Sequence, residues 1–218
     1  MRPYLKAIIC IVLATFVLVN AVAAAEEAVD PEFQLLYATI ENQEYKLVLT
    51  TKDFLTEANG IRTIRIYFDN GIYKNGGIRL HEVRAFTDEE GKGENILLNT
   101  NVIGGPVHHQ YLLEWAVNGV GFPADMQPNP SDKTGVGWGD KWYSGADIRG
   151  VVYITLNVPA NIKRIELEMG YTNKGLESVT MSGIDIRVSQ QAFTEDELNA
   201  KMNKILDDPS YVGALVLP

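Results

Sequence analysis

Apolar and polar residues alternate along most of the second half of this chain. In VVYITLNV (151–158), Val152, Ile154, Leu156 and Val158 fall on one face, and Tyr153, Thr155 and Asn157 on the other. A turn at Pro159-Ala160-Asn161 leads to IKRIELEM, where Ile165, Leu167 and Met169 alternate with Arg164, Glu166 and Glu168. Further on, Ile184, Ile186 and Val188 alternate with Asp185, Arg187 and Ser189. Period-2 alternation bounded by Gly, Pro and Asn predicts half-buried antiparallel strands. Thr63 to Phe68 reads the same way, with Ile64, Ile66 and Phe68 on one face, and stops at the turn signal Asp69-Asn70-Gly71. In IRLHEVRAF (78–86) the parity breaks between Leu80 and Val83, which a bulge near His81-Glu82 reconciles.

Shorter runs complete the pattern. Phe33–Ile40 and Tyr45–Thr51 flank Glu41-Asn42-Gln43-Glu44 and predict a hairpin. Asp53–Asn59 fits a loop or one helical turn stopped by Gly60. Asn95–Val102 predicts a short strand broken by Gly104-Gly105-Pro106, and Leu112–Val117 fits either a strand or a helix. Gly119–Gly137 is a long Gly/Pro-rich loop, and loops beyond about 12–15 residues are usually functional or disordered. After Ser189 the period changes. Thr194-Glu195-Asp196-Glu197 is a capping box, and Leu198, Met202, Ile205 and Leu206 recur at helical spacing until Pro209. The apolar tail YVGALVLP then packs on the domain or meets a partner, with packing the favoured reading. The expected fold is all-β, a sandwich with a short C-terminal α-helix.

The first residues change the compartment. Arg2 and Lys6 precede an apolar run from Ala7 to Val19, and Ala21-Val22-Ala23 fits a cleavage site, so 1–25 reads as a signal peptide. The expected organisation is 1–25 signal peptide, 26–60 linker and hairpin packed on the sandwich, 61–190 sandwich, and 191–218 helix and tail. The protein is expected to be secreted or periplasmic. Cys10, inside the apolar run, is the only cysteine, so disulfides play no part in the mature chain. Without Arg2 and Lys6, 17 basic residues face 28 acidic ones, a net charge of −11. Such a surface disfavours nucleic acid and anionic phospholipid, and no later apolar run is long enough to span a bilayer.

The order ENILLNTNV, WAVNGV, GWGDKWYSG, VVYITLNVPANIKRIELEM and SGIDIRVS resembles the discoidin, or coagulation-factor C-type, galactose-binding-like β-sandwich. Asn95-Ile96-Leu97 matches the family's early strand. Ala116-Val117-Asn118-Gly119 matches its N-A-V-D-G loop, with Asn118 in place of the usual Asp. Trp142-Tyr143-Ser144 matches the T-x-W-x-S segment, and Tyr153-Ile154-Thr155-Leu156-Asn157 the following strand. The resemblance spans about residues 62–189 and implies a galactose-binding-like jelly roll with binding loops at one end. It also implies a calcium site near the N-A-V-D-G turn. Asn118 weakens that site but leaves carbonyl oxygens and Asp125 as ligands, so calcium is the one cofactor to test.

Chemistry concentrates in the segment that carries Trp138, Trp142 and Tyr143. Flat aromatic rings stack on the apolar face of a pyranose, and Asp140, Lys141, Asp147 and Arg149 supply hydrogen-bonding partners. Trp142 also fits the bottom of the sandwich, where the matching family tryptophan packs. Of the adjacent histidines His108 and His109, alternation puts one outside and one inside, which argues against a metal pair. No G-x-S-x-G, H-E-x-x-H or P-loop signature occurs, so a catalytic role is not expected. The sequence points to a carbohydrate-binding module using Trp138, Asp140, Trp142, Tyr143, Arg149 and His108. The alternative is an interaction or structural subunit that docks a protein partner through the C-terminal helix and tail.

Overall fold

The computed structural model of this 218-residue chain describes residues 31–41, 43, 46–69, 78–107, 112–121, 142–143 (backbone only), 149–169 and 182–215. The strands are β1 (Gln34–Thr39), β2 (Lys46–Thr50), β3 (Ile61–Asp69), β4 (Arg79–Phe86) and β5 (Asn101–Gly105). They continue with β6 (Trp142–Tyr143), β7 (Arg149–Ala160), β8 (Arg164–Met169) and β9 (Ile184–Ser189), and helix α1 (Glu195–Leu206) follows. One sheet has the order β1-β9-β3-β7-β5 and the other β2-β8-β4-β6, with antiparallel pairing throughout. Each successive strand changes sheet. The protein is an all-β sandwich with one short C-terminal helix.

The alternation places the core as read. Ile64, Ile66 and Phe68 of β3, Val152, Ile154 and Leu156 of β7, and Ile184, Ile186 and Val188 of β9 meet the other sheet's Val83, Ala85, Ile165, Leu167 and Met169. The parity break in β4 is a bulge. The register moves by one residue between the Leu80–Met169 and Glu82–Glu168 pairs, which keeps Leu80 and Val83 both inside. Val158 departs from the pattern and is exposed, because β7 runs on past the core to Ala160.

Three local expectations are corrected. β1 and β2 do not form a hairpin: β1 pairs with β9 and β2 with β8, in opposite sheets. The connection between them, 40–45, reaches roughly 20 Å when extended, enough to cross between sheets about 10 Å apart. Both strands therefore belong to the sandwich rather than to an appendage. The strand expected at Asn95–Val102 begins only at Asn101, and Gly104 and Gly105 lie inside it. A Cβ on Gly104 would sit 2.4 Å from the Val151 carbonyl oxygen, so here glycine permits close strand approach rather than breaking the strand. Leu112–Val117 resolves as a 3-10 helix over Leu113–Val117, and Asp53–Asn59 as turns and irregular loop.

The C-terminal segment closes the second face of the larger sheet. Thr194 caps α1 through both bonds of the capping box: Glu197 N–H donates to Thr194 Oγ1 and Thr194 N–H to Glu197 Oε2. Leu198 and Ile205 of α1, with Tyr211 and Leu215 beyond it, bury Phe33, Tyr67, Val151 and Tyr153 on the outer face. The five-stranded sheet is thus buried on both sides.

Candidate functional site

Strand register gathers many connections at one end of the sandwich. Thr39, Asp69, Gly105, Arg149 and Ile184 end their strands together in the larger sheet. Lys46, Arg79 and Met169 do the same in the smaller one, where β6 pairs Tyr143 with Arg79 and Trp142 with Leu80. In the chain, residues 122–141 directly precede β6. Trp138, Asp140, His108 and Asp125, with Lys141 and Asp147, lie outside the described residues, as do the side chains of Trp142 and Tyr143.

Two of the expected site residues are placed. Arg149, at the start of β7, donates from Nε to Tyr67 Oη at 3.1 Å. Its Nη2 donates to the carbonyls of Ile205 and Asp208, both at 2.8 Å. A guanidinium at the C-terminal end of a helix satisfies carbonyls that lack an intrahelical donor and meets the negative end of the dipole. In this structure Arg149 ties α1 to the sheet at the same end as the clustered connections. Asn118 ends the 3-10 helix, and its Oδ1 accepts from the Val120 amide at 2.9 Å. Among the described residues no group of three or more His, Cys, Asp or Glu side chains is arranged to hold a metal. None of their helices is long and apolar enough to cross a membrane.

A charged cluster on the smaller sheet's outer face holds the turn after Asn118. Glu82 is fully buried, and both its oxygens accept from the Gly119 amide, at 3.0 and 3.2 Å. It faces Glu168 directly across β4 and β8, and like charges in that position repel. Arg84 relieves this by pairing with Glu168 at 2.5 Å. Gly121 passes over the pair so closely that a Cβ there would lie 2.5 Å from Arg84 Nη2 and 2.6 Å from Glu168 Oε2. Along the same face, Glu166 binds Lys46 at 2.7 Å and Arg164 at 2.6 Å.

Burial pushes the Glu82 carboxyl up to about 7, against the pull of Arg84 and the amides of Gly119 and Gly121, with Glu168 adding repulsion. Between the ordinary glutamate range and neutrality the folded chain therefore holds a proton that the unfolded chain releases. The stability that Glu82 contributes falls as pH rises through that window. Glu82→Gln stays neutral and retains an acceptor for Gly119. It is expected to flatten the loss of melting temperature between about pH 5.5 and about pH 8. Equal losses in variant and wild type would contradict this.

Sequence reasoning missed Glu82, which it named only as part of the bulge near His81-Glu82. It also missed a buried ionic cluster on the larger sheet. Arg65 and Asp185 are both fully buried and pair at 3.0 Å, and Arg187 Nε donates to Asp185 Oδ1 at 3.3 Å. The tail completes the cluster: Ala214 N–H donates to Asp185 Oδ2 at 2.7 Å, and Tyr67 Oη to the Tyr211 carbonyl at 3.1 Å. The available signal was Tyr67 and Tyr153 on the supposed solvent face, aromatic residues that a second apolar layer would explain.

No protein-family model, curated protein or solved structure matches this chain.

Proposed function

We propose that this protein is a secreted, non-catalytic binding module that recognises carbohydrate through loops at one end of a jelly-roll sandwich. The observation that carries the reading is that many strand ends, β6 among them, share one end of the sandwich. β6 itself is Trp142–Tyr143, and in the chain Trp138 and Asp140 come just before it. Loops held by such a scaffold are the usual place for recognition. Aromatic and polar side chains interleaved in that segment suit a pyranose ring and its hydroxyls.

The strand order supports the jelly-roll reading. With β5 set aside as an extra edge strand, the sheets read β1-β9-β3-β7 and β2-β8-β4-β6. These eight strands change sheet at every step except from β4 to β6, neighbours in the smaller sheet, which is the winding expected of two Greek keys closed into a double sheet. The apolar C-terminal residues, the basis for a protein-docking role, are occupied on the protein's own sheet as far as Leu215.

The test is a glycan-array screen of residues 26–218, with and without calcium, alongside Trp138→Ala. The reading predicts binding to a defined glycan set that the variant loses. A folded wild-type protein that binds nothing on the array would overturn it.

A further inference from the structure

The end of the sandwich opposite β6 carries a furrow. There the loop 51–60 crosses between the sheets, beside the β7–β8 connection and the end of β9. A cavity of 490 Å³ lies between Phe54, Glu57, Asn59 and Lys163, with Ala58 and Ile162 lining it from the apolar side. A second recess of 260 Å³ shares Glu57 and Asn59 and continues to Gln34, Gln190 and Gln191. The larger cavity alone falls within the range of about 300–1,000 Å³ typical of small-molecule sites.

The loop is fixed in place despite having no regular structure. Leu55 N–H donates to the Leu36 carbonyl and Ile162 N–H to the Ala58 carbonyl, both at 2.8 Å. Thr50 N–H donates to Asp53 Oδ2 at 2.8 Å, and Gly60 N–H to Asn161 Oδ1 at 2.9 Å. These bonds tie the loop to both sheets, so a ligand would meet a preformed surface with little ordering cost. The side chains at the junction are also oriented. Asn59 Nδ2 donates to Glu57 Oε2 at 2.8 Å, and Gln190 Nε2 to the Asn59 carbonyl at 2.9 Å.

Amide side chains both donate and accept, as sugar hydroxyls do, and a carboxylate accepts from paired hydroxyls. Lys163 and Glu57 line the cavity with opposite charges, which gives the furrow no anion-selecting charge. Phe54, packed against the core and partly exposed, offers an apolar strip beside the amides. We propose that this furrow is a second saccharide site, for neutral oligosaccharides, recognised by Asn59, Gln190 and Glu57 over Phe54. It stands at the end of the sandwich away from β6 and does not depend on Trp138 binding anything.

The experiment is an NMR titration of residues 26–218 with neutral hexose and N-acetylhexosamine tetrasaccharides at millimolar concentration. Wild type is compared with Trp138→Ala, Glu57→Gln and the double variant Asn59→Ala/Gln190→Ala. The expected result is saturable amide shifts at 54–59, 162–163 and 190–191, retained in Trp138→Ala. The double variant should weaken binding there by at least about tenfold with an unchanged spectrum elsewhere, and Glu57→Gln should weaken it without any change of fold. Silence at these amides with every saccharide, or undiminished affinity in both furrow variants, would overturn the proposal. Silence here beside glycan binding lost in Trp138→Ala would leave the first site standing alone.

Discussion

Asp185→Ala is expected to destabilise the protein by about 3–5 kcal/mol, because breaking a buried ion pair leaves an uncompensated charge in the interior. Among the described residues Asp185 is the carboxylate of this cluster, and it serves Arg65, Arg187 and the Ala214 amide at once. Burial alone would raise its carboxyl. The two guanidiniums and the amide outweigh burial and hold it below the usual aspartate range. A depressed carboxyl contributes stability above its unfolded value and loses it as pH falls through the folded one. The alanine variant should therefore lose most at neutral pH and approach wild type in strong acid. Asp185→Asn, which keeps acceptors for the guanidiniums but not the charge, should fall between the two. Urea unfolding at pH 7 measures this, and a loss below about 1 kcal/mol for alanine would place the cluster among solvent-screened pairs.

Removing residues 194–218 is expected to have the largest effect of any change, and it should not leave an intact sandwich. The deletion takes Leu198, Ile205, Tyr211 and Leu215 from the outer face and uncovers Phe33, Tyr67, Val151 and Tyr153. At about 1.5–3 kcal/mol per buried side chain, the four lost residues account for roughly 6–12 kcal/mol as an upper figure. That is comparable to the roughly 5–15 kcal/mol that stabilises a typical domain. The truncated chain would also expose the Arg65–Asp185–Arg187 cluster and leave Arg149 without its two carbonyls. Insoluble expression, or a chain without a cooperative thermal transition, is the expected outcome. A soluble product melting within a few degrees of wild type would show that the segment is an appendage.

Alternation made the strands legible but not their partners. Ile64, Val152, Ile165 and Ile186 lie in the core as read, and even the bulge at His81 followed from parity. Whether β1 turned back on β2 depended on the separation of the sheets, which local residues do not encode. Gly104 looked like a strand breaker because its reason, the Val151 carbonyl 2.4 Å from a would-be Cβ, is a contact made 47 residues away in sequence. The polar face of β9 misled for a related reason. Asp185 and Arg187 read as solvated, yet a tail some 25 residues later covers them. Of the candidate site, the aromatic segment was visible in sequence, while the preformed furrow at 51–59 emerges only when two loops and a strand end are brought together.

The helix-covered face of this sandwich is closed by its own C-terminus, and the proposed saccharide sites lie at its ends. Amide chemical-shift mapping of residues 26–218 with a saccharide selected on the array tests this most directly. The account predicts shifts confined to the sandwich ends, around the β6 strand ends, the 51–59 furrow or both, with α1 and residues 207–215 unmoved. Shifts concentrated on α1 and the tail, or none with any array-positive saccharide, would contradict it.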